Sequence, residues 1–482
     1  MSGPHLHVAE ISASYQVIKN IESIGWPTVP LSEAVEINPK ADRSLLTDDT
    51  EVTFVPMAAV EATSGRVDTS TVRRYEEVKK GYTHFRDGDV LFAKITPCME
   101  NGKMAVAHSL RNGIGLGSTE FHVLRPREGV NPHYVYYFVS SRGYRSEAAH
   151  HMTGAVGQKR VPVSFLEQSE IPLPSPTEQR RIVAEIEKQF SRLDEAVAGL
   201  KRVKSNLKRY KAAILKAAVE GRLVPTEADL ARREGRDYET GPQLLQRILE
   251  TRRSLWQGRG KYKEPVAPDT TDLPELPEGW VWANCDFVVS RIEAGASFKC
   301  TERPPENEET GVLKVSAVTW GSFDESESKT CNDPERIEEG YLVRAGDFLF
   351  SRANTIDLVG ACVIVQHISK RLMLSDKTLR FSVTSQVRAE WLLICLRSKL
   401  GRDEIERLAT GNQESMRNIG QERIRQIRLP LPPIPEQHRI VAEVDRLLSI
   451  AREAEQEITR NLERALALRQ SILQKAFSTS VK

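Results

Sequence analysis

Cysteine and long apolar runs are both scarce in this chain of 482 residues, and each shortage excludes a class of protein. No uninterrupted apolar stretch approaches a membrane span, and the N-terminus lacks a basic segment followed by an apolar run. The six cysteines include no Cys-x-x-Cys pair, so they indicate neither a zinc site nor a disulfide framework. They are Cys98, Cys285, Cys300, Cys331, Cys362 and Cys395. We therefore expect a cytoplasmic protein with reduced, mostly buried thiols and no contact with a membrane.

Motifs for nucleotide and cofactor chemistry are also missing. No Gly-x-x-x-x-Gly-Lys-Ser/Thr loop is present, which argues against an ATP-driven motor within this chain. Gly113, Gly115 and Gly117 alternate between strand-like runs, and no helix obviously begins there, so they do not predict a cofactor-binding turn. The segment 131–134 (Asn-Pro-His-Tyr) approaches the Asn-Pro-Pro-Tyr motif of adenine methyltransferases, but a histidine replaces the second proline. An N-cap followed by a first-turn proline explains it better.

Metal and nuclease motifs are incomplete in the same way. Glu77-Val78-Lys79 supplies only the end of a nuclease-like acidic-x-Lys motif, since no Pro-Asp precedes it. His150 and His151 have no cysteine or acidic residue near them at metal-ligand spacing, so a pair on the surface is the better interpretation. We expect no catalytic residue, no metal and no cofactor in this chain.

Charge is distributed unevenly along the chain. The formal net charge is only +2, but residues 201–263 contain 17 Lys and Arg against 7 Asp and Glu. A basic middle in an otherwise acidic molecule suits a polyanionic partner. A solvated helix face followed by a polar linker would give the same composition, so charge alone leaves both explanations open.

The strongest signal is an internal repeat. Residues 173–187 (LPSPTEQRRIVAEIE) and 431–445 (LPPIPEQHRIVAEVD) are identical at nine of fifteen positions, at an offset of 258. The same offset relates GDVLFAK at 88–94 to GDFLFSR at 346–352. Each half is therefore a domain whose sequence varies between the halves, followed by a helix whose sequence is better preserved. The chain is a fused tandem duplication.

The variable halves have the pattern of short strands with a few helices. Strand-like runs broken by Gly, Asn and Pro are FVPMAAV, DVLFAKI, MAVAHSL and STEFHVLRP in the first half and GVLKVSAV, DFLFSRA, ACVIVQH and DKTLRFSV in the second. Asn131-Pro132 predicts the start of a helix through HYVYYFVSSR. The fold class is therefore α+β, with two pseudo-symmetric, strand-rich domains.

The repeated helices carry an apolar ladder with a period of seven residues. Proline before or inside the first turn predicts where each helix starts. The first ladder contains Ile186, Leu193, Leu200, Leu207 and Ile214, with Phe190, Val197, Val203, Tyr210 and Ala217 between them, and the second contains Val444, Ala451, Ile458, Ala465 and Ile472, with Leu448, Leu462 and Ala476. Five heptads favour a coiled coil, and we predict that the two helices pair antiparallel. Packing of each helix on its own domain is the alternative.

These observations divide the chain into six segments. We predict an N-terminal helical segment at 1–24, a first variable domain at 25–172, a first long helix at 173–220, a linker with a short helix at 221–275, a second variable domain at 276–428 and a second long helix at 429–482.

The repeated motifs resemble the specificity subunit of type I restriction–modification systems. The resemblance rests on EQRRIVAEIE and EQHRIVAEVD, LPELPEGWVW, GDVLF and GDFLF, and LKAAVEGRLVP, and it extends from about Gly25 to the C-terminus. It implies two target recognition domains, each of which reads one half of a bipartite double-stranded DNA target. The long helices would set the distance between half-sites and dock methyltransferase subunits. One difference is that TGAVGQKR in the first domain becomes TGNQESMR in the second, so the target cannot be transferred from a relative.

The same resemblance implies which other molecules take part. Two methyltransferase subunits and the restriction motor–nuclease subunits would be the protein partners. S-adenosylmethionine, ATP and Mg²⁺ would be bound by those partner subunits.

We predict that two loops in each domain contact DNA bases. One follows the GDxLF strand and the other follows the TG turn, where Arg, Lys, Asn and Gln can reach base edges in the major groove. The candidates are Lys94, Thr96, Asn101, Lys103, Gln158, Lys159 and Arg160 in the first domain and Arg352, Asn354, Thr355, Asn412, Gln413, Ser415 and Arg417 in the second. Ordinary polar loop residues or turn formers are the alternative for each.

Further candidates would grip the phosphate backbone or dock partners. Phosphate contacts could come from Arg73, Arg74, Lys79 and Lys80. The docking candidates are Glu178, Gln179, Arg181, Glu436, Gln437 and Arg439.

Two other functions remain as alternatives. A stand-alone DNA adenine methyltransferase would need a cofactor motif that the chain lacks, and a coiled-coil scaffold would bind no DNA.

Overall fold

A computed structural model describes residues 25–41, 46–155, 157–257, 262–413 and 416–477. The predicted N-terminal helical segment, 1–24, lies outside these described residues. The chain divides into two compact units, one of residues 1–202 with 458–482 and the other of residues 203–457. Each unit thus combines one half of the repeat with parts of both long helices.

The first unit contains ten strands and five short helices in the residues described. The strands are β1 (Thr28–Pro30), β2 (Val35–Ile37), β3 (Glu51–Val55), β4 (Val72–Arg74), β5 (Thr83–Arg86), β6 (Val90–Ala93), β7 (Met104–Val106), β8 (Ile114–Gly117), β9 (Phe121–Pro126) and β10 (Glu170–Pro172). The helices are α1 (Leu31–Ala34), α2 (Tyr75–Val78), α3 (Pro132–Ser140), α4 (Arg142–His150) and α5 (Val163–Gln168).

Two four-stranded sheets and one strand pair organise the first unit. The sheet orders are β2-β9-β6-β7 and β4-β3-β8-β5, and β1 pairs antiparallel with β10. Gly113 ends a 3₁₀ turn, and Gly115 and Gly117 lie in strand β8, which pairs parallel with β3. The largest core cluster lies among α3, α4, β6 and the long helices of this unit, and it contains Tyr134, Phe138 and Phe92.

The predicted helix start at Asn131 is confirmed. Helix α3 begins at Pro132, and the Asn131 side chain accepts hydrogen bonds from the backbone N–H groups of His133 and Tyr134. This is the N-cap arrangement that Asn followed by Pro favours.

The second unit repeats this plan. Its strands are β11 (Val281–Asn284), β12 (Val289–Ala294), β13 (Cys300–Thr301), β14 (Gly311–Leu313), β15 (Ser328–Cys331), β16 (Phe348–Ser351), β17 (Ala353–Asn354), β18 (Cys362–Ile364), β19 (Leu372–Met373), β20 (Thr378–Val383), β21 (Thr410–Gln413), β22 (Met416–Asn418) and β23 (Arg428–Leu431). Its helices between the two long ones are α7 (Glu227–Glu234), α8 (Gly241–Ser254), α9 (Cys285–Val288), α10 (Ala389–Arg397), α11 (Lys399–Leu408) and α12 (Gln421–Arg425).

The sheets of the second unit match those of the first. The sheet β12-β20-β16-β18 corresponds to β2-β9-β6-β7, and β11-β23 corresponds to β1-β10. A second sheet has the order β13-β15-β14-β19, with β14 parallel to β19 as β3 is to β8. A third, three-stranded sheet β17-β22-β21 is formed by the two predicted reading loops.

Most predicted strand runs are confirmed, with one systematic difference. The sequence predicts strand-like runs at FVPMAAV and GVLKVSAV. Instead, β3 and β14 end early, and 3₁₀ turns follow at Met57–Ala59 and Val315–Ala317. Pro56 accounts for the first ending, because it has no N–H to donate to a strand ladder.

Both long helices have 44 residues, α6 at Pro176–Val219 and α13 at Ile434–Phe477. Their starts and ends differ by the predicted offset of 258. The five ladder residues of α13, from Val444 to Ile472, are all buried.

The five ladder residues of α6 are buried or half-buried, but two of the residues predicted between them are exposed. Val203 and Tyr210 are 52% and 45% exposed. A straight helix drifts about 20° for every heptad, which turns such positions out of the contact line.

The two long helices contact each other inside each unit. In the first unit Arg469 pairs with Asp194 at 2.8 Å and lies over the ring of Phe190. In the second unit Lys211 of α6 forms an ion pair with Glu455 of α13, and Ile214 of α6 lies in the same core cluster as Val444 of α13. Since later residues of α6 in this unit meet earlier residues of α13, the helices run antiparallel there.

The segment after α6 contains more helix than expected. A short helix around 242–256 was predicted and corresponds to α8, but α7 was not foreseen. Leu244 and Ile248 of α8 are fully buried in the core of the second unit, together with Trp280 and Trp391. This part of the predicted linker is therefore packed structure.

The six cysteines are free thiols. Cys285, Cys362 and Cys395 are fully buried, and burial raises the pKa of each. The other three are half-buried, so the expectation that most are buried holds for only half of them.

Candidate nucleic-acid interface

The two predicted reading loops of the first unit lie side by side. The backbone N–H of Thr96 donates to the Lys159 carbonyl at 3.0 Å, and the N–H of Val161 donates to the Lys94 carbonyl at 2.9 Å. Arg160 also bridges to both Ile95 and Thr153 as in an antiparallel pair. The residues after β6 and the hairpin 153–160 therefore form one surface.

Within that surface the predicted residues differ in what they can offer. Gln158, Lys159 and Asn101 are exposed. The Thr96 hydroxyl donates to Glu100 at 2.9 Å, and the Lys103 ammonium donates to the Met57 carbonyl at 3.0 Å. Thr96 and Lys103 thus shape the loop from within.

The second unit builds the same surface from different residues. Strand β17 pairs with β22, so that Asn354 lies opposite Arg417, and the N–H of Ile419 donates to the Arg352 carbonyl at 2.9 Å. The Arg417 guanidinium donates to the Gly411 carbonyl at 2.7 Å, which closes the hairpin. The N–H of Thr355 donates to the Asn354 side-chain oxygen at 2.8 Å.

The remaining candidates of the second unit are Asn412, Gln413 and Ser415. Gln413 is exposed. Asn412 lies within β21, but its side chain is outside the described part of the structure, as is all of Ser415.

Sequence reasoning missed Glu120, which precedes β9. Its carboxylate accepts two hydrogen bonds from the Arg160 guanidinium, at 2.9 Å from Nε and 2.7 Å from Nη2. The hydrogen bond with Arg160 lowers the pKa of Glu120, and the same bond raises the pKa of Arg160, so both are charged at neutral pH. The sequence held one signal for Glu120. The segment STEF, which contains it and leads into β9, aligns with SDKT, which leads into the equivalent strand of the other half.

The predicted phosphate-gripping residues already have acidic partners. Arg73 pairs with Glu77, Arg74 with Asp49 at 3.4 Å, and Lys79 with Asp48 at 2.8 Å. Lys80 is exposed. Their net contribution to a positive surface is therefore smaller than the sequence suggests.

The repeated Glu-Gln pair at the start of each long helix has an internal role. Gln179 accepts from the Asn131 N–H at 2.8 Å and donates to the Pro174 carbonyl at 2.9 Å. Gln437 does the same with Arg388 and Pro432, at 3.1 Å and 2.9 Å. Both side chains are buried, so they tie the helix start to the loop before α3 or α10.

The other docking candidates split between the two copies. Glu178 and Arg181 form an exposed ion pair at 2.6 Å. Glu436 is fully buried, accepts from the Trp280 indole at 3.0 Å, and has its pKa raised by burial. Arg439 pairs with Glu227 at 2.7 Å. Of these docking candidates, those on α6 are therefore more accessible to a partner protein than those on α13.

Two negative findings concern only the described residues. No group of three or more His, Cys, Asp or Glu side chains is placed there to hold a metal ion. Among the helices described, none is both long and apolar enough to cross a lipid bilayer.

The tandem architecture is matched by a family model. A model of the type I restriction modification DNA specificity domain matches residues 23–204 and 286–464, which is once in each half of the repeat.

Curated relatives agree with that match. The type I restriction enzyme EcoEI specificity subunit from Escherichia coli is 32% identical over 468 residues, covering 87% of this chain and 77% of the relative. The EcoAI specificity subunit, also from Escherichia coli, is 28% identical over 472 residues, covering 88% and 77%.

Two solved structures share the fold. One, from a study of complex assembly and conformational transition of the type I R-M system, covers 95% of this chain and 99% of its own, with a TM-score of 0.67 at 19% identity. The HsdS subunit from Thermoanaerobacter tengcongensis covers 95% and 97%, with a TM-score of 0.54 at 20% identity. The family model matches both halves, the relatives align over most of the chain, and the fold is shared. The chain therefore belongs to the type I restriction modification DNA specificity family.

Proposed function

We propose that this chain is the DNA sequence-specificity subunit of a type I restriction–modification complex and performs no catalysis itself. Each recognition domain reads one half of a bipartite target in double-stranded DNA. The relatives are named specificity subunits of restriction enzymes, which supports this role.

One observation carries the proposal: both units present the same hydrogen-bonded pair of loops with different side chains. The Lys94–Val161 bond of the first unit has its counterpart in the Arg352–Ile419 bond of the second. A constant framework with variable polar side chains is what two readers of different half-sites require.

The long helices would then set the distance between half-sites and dock two methyltransferase subunits, to which restriction motor–nuclease subunits could be added. Exposed Glu178 and Arg181, together with Val203 and Tyr210, support a docking role for α6. S-adenosylmethionine, ATP and Mg²⁺ would be bound by those partners, in the cytoplasm.

The proposal is tested by binding and co-purification of the full chain. We expect two methyltransferase subunits per chain, and DNA binding that weakens steeply as salt rises. Methyl transfer by the chain alone would favour a stand-alone methyltransferase instead. Absence of both DNA binding and methyltransferase subunits would favour a scaffold.

A further inference from the structure

One backbone position carries opposite charges in the two units. In the first unit the N–H of Lys94 donates to the carbonyl of Glu120 at 2.9 Å. In the second unit the N–H of Arg352 donates to the carbonyl of Lys377 at 3.0 Å. Glu120 and Lys377 therefore occupy the same place beside the reading loops.

The partner of Glu120 is also replaced in the second unit. Arg160 precedes Val161, and Asn418 precedes Ile419, whose N–H makes the equivalent bond to the neighbouring loop. Arg160 is held by two bonds to Glu120, whereas Asn418 accepts only a long bond of 3.4 Å from Arg352. The carboxylate–guanidinium pair is thus particular to the first unit at this position.

The Arg160–Glu120 pair still has free hydrogen-bonding capacity. The side chains of Arg160 and Glu120 are 44% and 25% exposed. Arginine has five N–H donors, and Arg160 uses two on Glu120 and one on the Gln158 carbonyl. Each carboxylate oxygen of Glu120 accepts one of these bonds and can accept another. The pair therefore presents donors and acceptors together.

We infer that Glu120 and Arg160 jointly read a G·C base pair in the half-site of the first unit, an inference that rests on the proposed DNA-reading function. Arginine donors fit guanine O6 and N7, and a carboxylate accepts from the cytosine N4 amino group in the same major-groove edge. A backbone phosphate would be repelled by Glu120, so the pair is directed at bases.

Stability alone gives little reason for the pair. Ion pairs at this exposure contribute little to stability, because water screens the attraction between their charges. Pre-ordering Arg160, in contrast, lowers the entropy lost when a base is bound. In the second unit the exposed Lys377 side chain is suited to a phosphate contact, so that unit would read its half-site with other side chains.

The test selects sequences from randomised double-stranded DNA with the full chain and its modification subunits. The wild type is expected to require G·C at one or more positions of one half-site. Glu120→Gln should reduce that preference about 10-fold at a single position, and Arg160→Lys should reduce it at the same position, since lysine lacks the planar fork. The other half-site should be unchanged, which also reports that the chain is folded.

A matched control is Glu51→Gln, which breaks an exposed pair with Arg111 on the other sheet of the same unit. It should leave all base preferences unchanged. The inference is overturned if no position requires G·C, if Arg160→Lys changes a preference that Glu120→Gln leaves intact, or if Glu120→Gln weakens all sequences equally. A wild type that binds DNA without sequence choice would refute the proposed function itself.

Discussion

Replacing Gln437 by methionine should destabilise the second unit by about 2–6 kcal/mol. The side chain is fully buried, and it satisfies the Arg388 N–H at 3.1 Å and the Pro432 carbonyl at 2.9 Å. Methionine has similar length but neither donates to the carbonyl nor accepts usefully from the amide. Each buried backbone group left unpaired costs about 1–3 kcal/mol.

Hydrogen exchange of the native full chain measures this effect, because a chain of two units need not unfold in one step. Amides at the start of α10 should exchange about 30-fold faster or more, as 2 kcal/mol implies. Gln456→Met, on an exposed position of the same helix, should change exchange by less than about twofold. If the amides around Arg388 exchange at the wild-type rate in Gln437→Met, the internal role assigned to the repeated glutamine is wrong.

Three further predictions concern pH, packing and spacing. Burial lowers the pKa of His122 below its usual 6.5. The neutral ring donates from Nε2 to the Val161 carbonyl at 2.9 Å, and its Nδ1 accepts from the Asn38 side-chain amide. As pH falls, His122 takes up a proton in the unfolded state before it does so in the folded state, so the first unit should lose stability below pH 6.5. Urea titrations at pH 7.5 and 5.5 measure this loss, and His122→Gln should make it smaller. Gly117→Ala should disrupt the pairing of β3 with β8 and lower the melting temperature, because a Cβ would lie 2.2 Å from the Val55 carbonyl oxygen. Gly143→Ala is the control and should leave the melting temperature unchanged, because Gly143 has open space around it. Inserting one heptad into both α6 and α13 adds about 10 Å of helix, so the preferred spacer between the two DNA half-sites should lengthen by roughly three base pairs. Mapping of methylated bases measures the spacer length, and an unchanged spacer would contradict the spacing role of the helices.

Much of the scaffold could be predicted from the sequence because several local signals agreed. Proline at the helix start, a heptad ladder and an offset of 258 all indicated α6 and α13, and each is one continuous helix of 44 residues. Asn131 followed by Pro132 predicted the start of α3 for a purely local reason.

Features that depend on three-dimensional register could not be predicted. Val203 and Tyr210 fit the heptad pattern, but the drift of a real helix exposes them. The Glu120–Arg160 pair joins residues 40 positions apart, and only the alignment of β9 with the hairpin brings them together.

The role of the repeated Glu-Gln pair was hidden for a different reason. A polar residue kept in both halves is compatible with a partner surface or with a buried hydrogen bond. Burial decides between these for Gln179 and Gln437, and sequence alone does not report burial.

The central claim is that each unit reads one half of the DNA target by itself. It is tested most directly by mapping the bases selected by the full chain with its modification subunits, using Lys159→Ala in the first unit and Gln413→Ala in the second, both at exposed loop positions. The account predicts one bipartite sequence, in which Lys159→Ala changes preferences only in one half and Gln413→Ala only in the other. A change spread over both halves by either variant, or a target with a single continuous half, would contradict it.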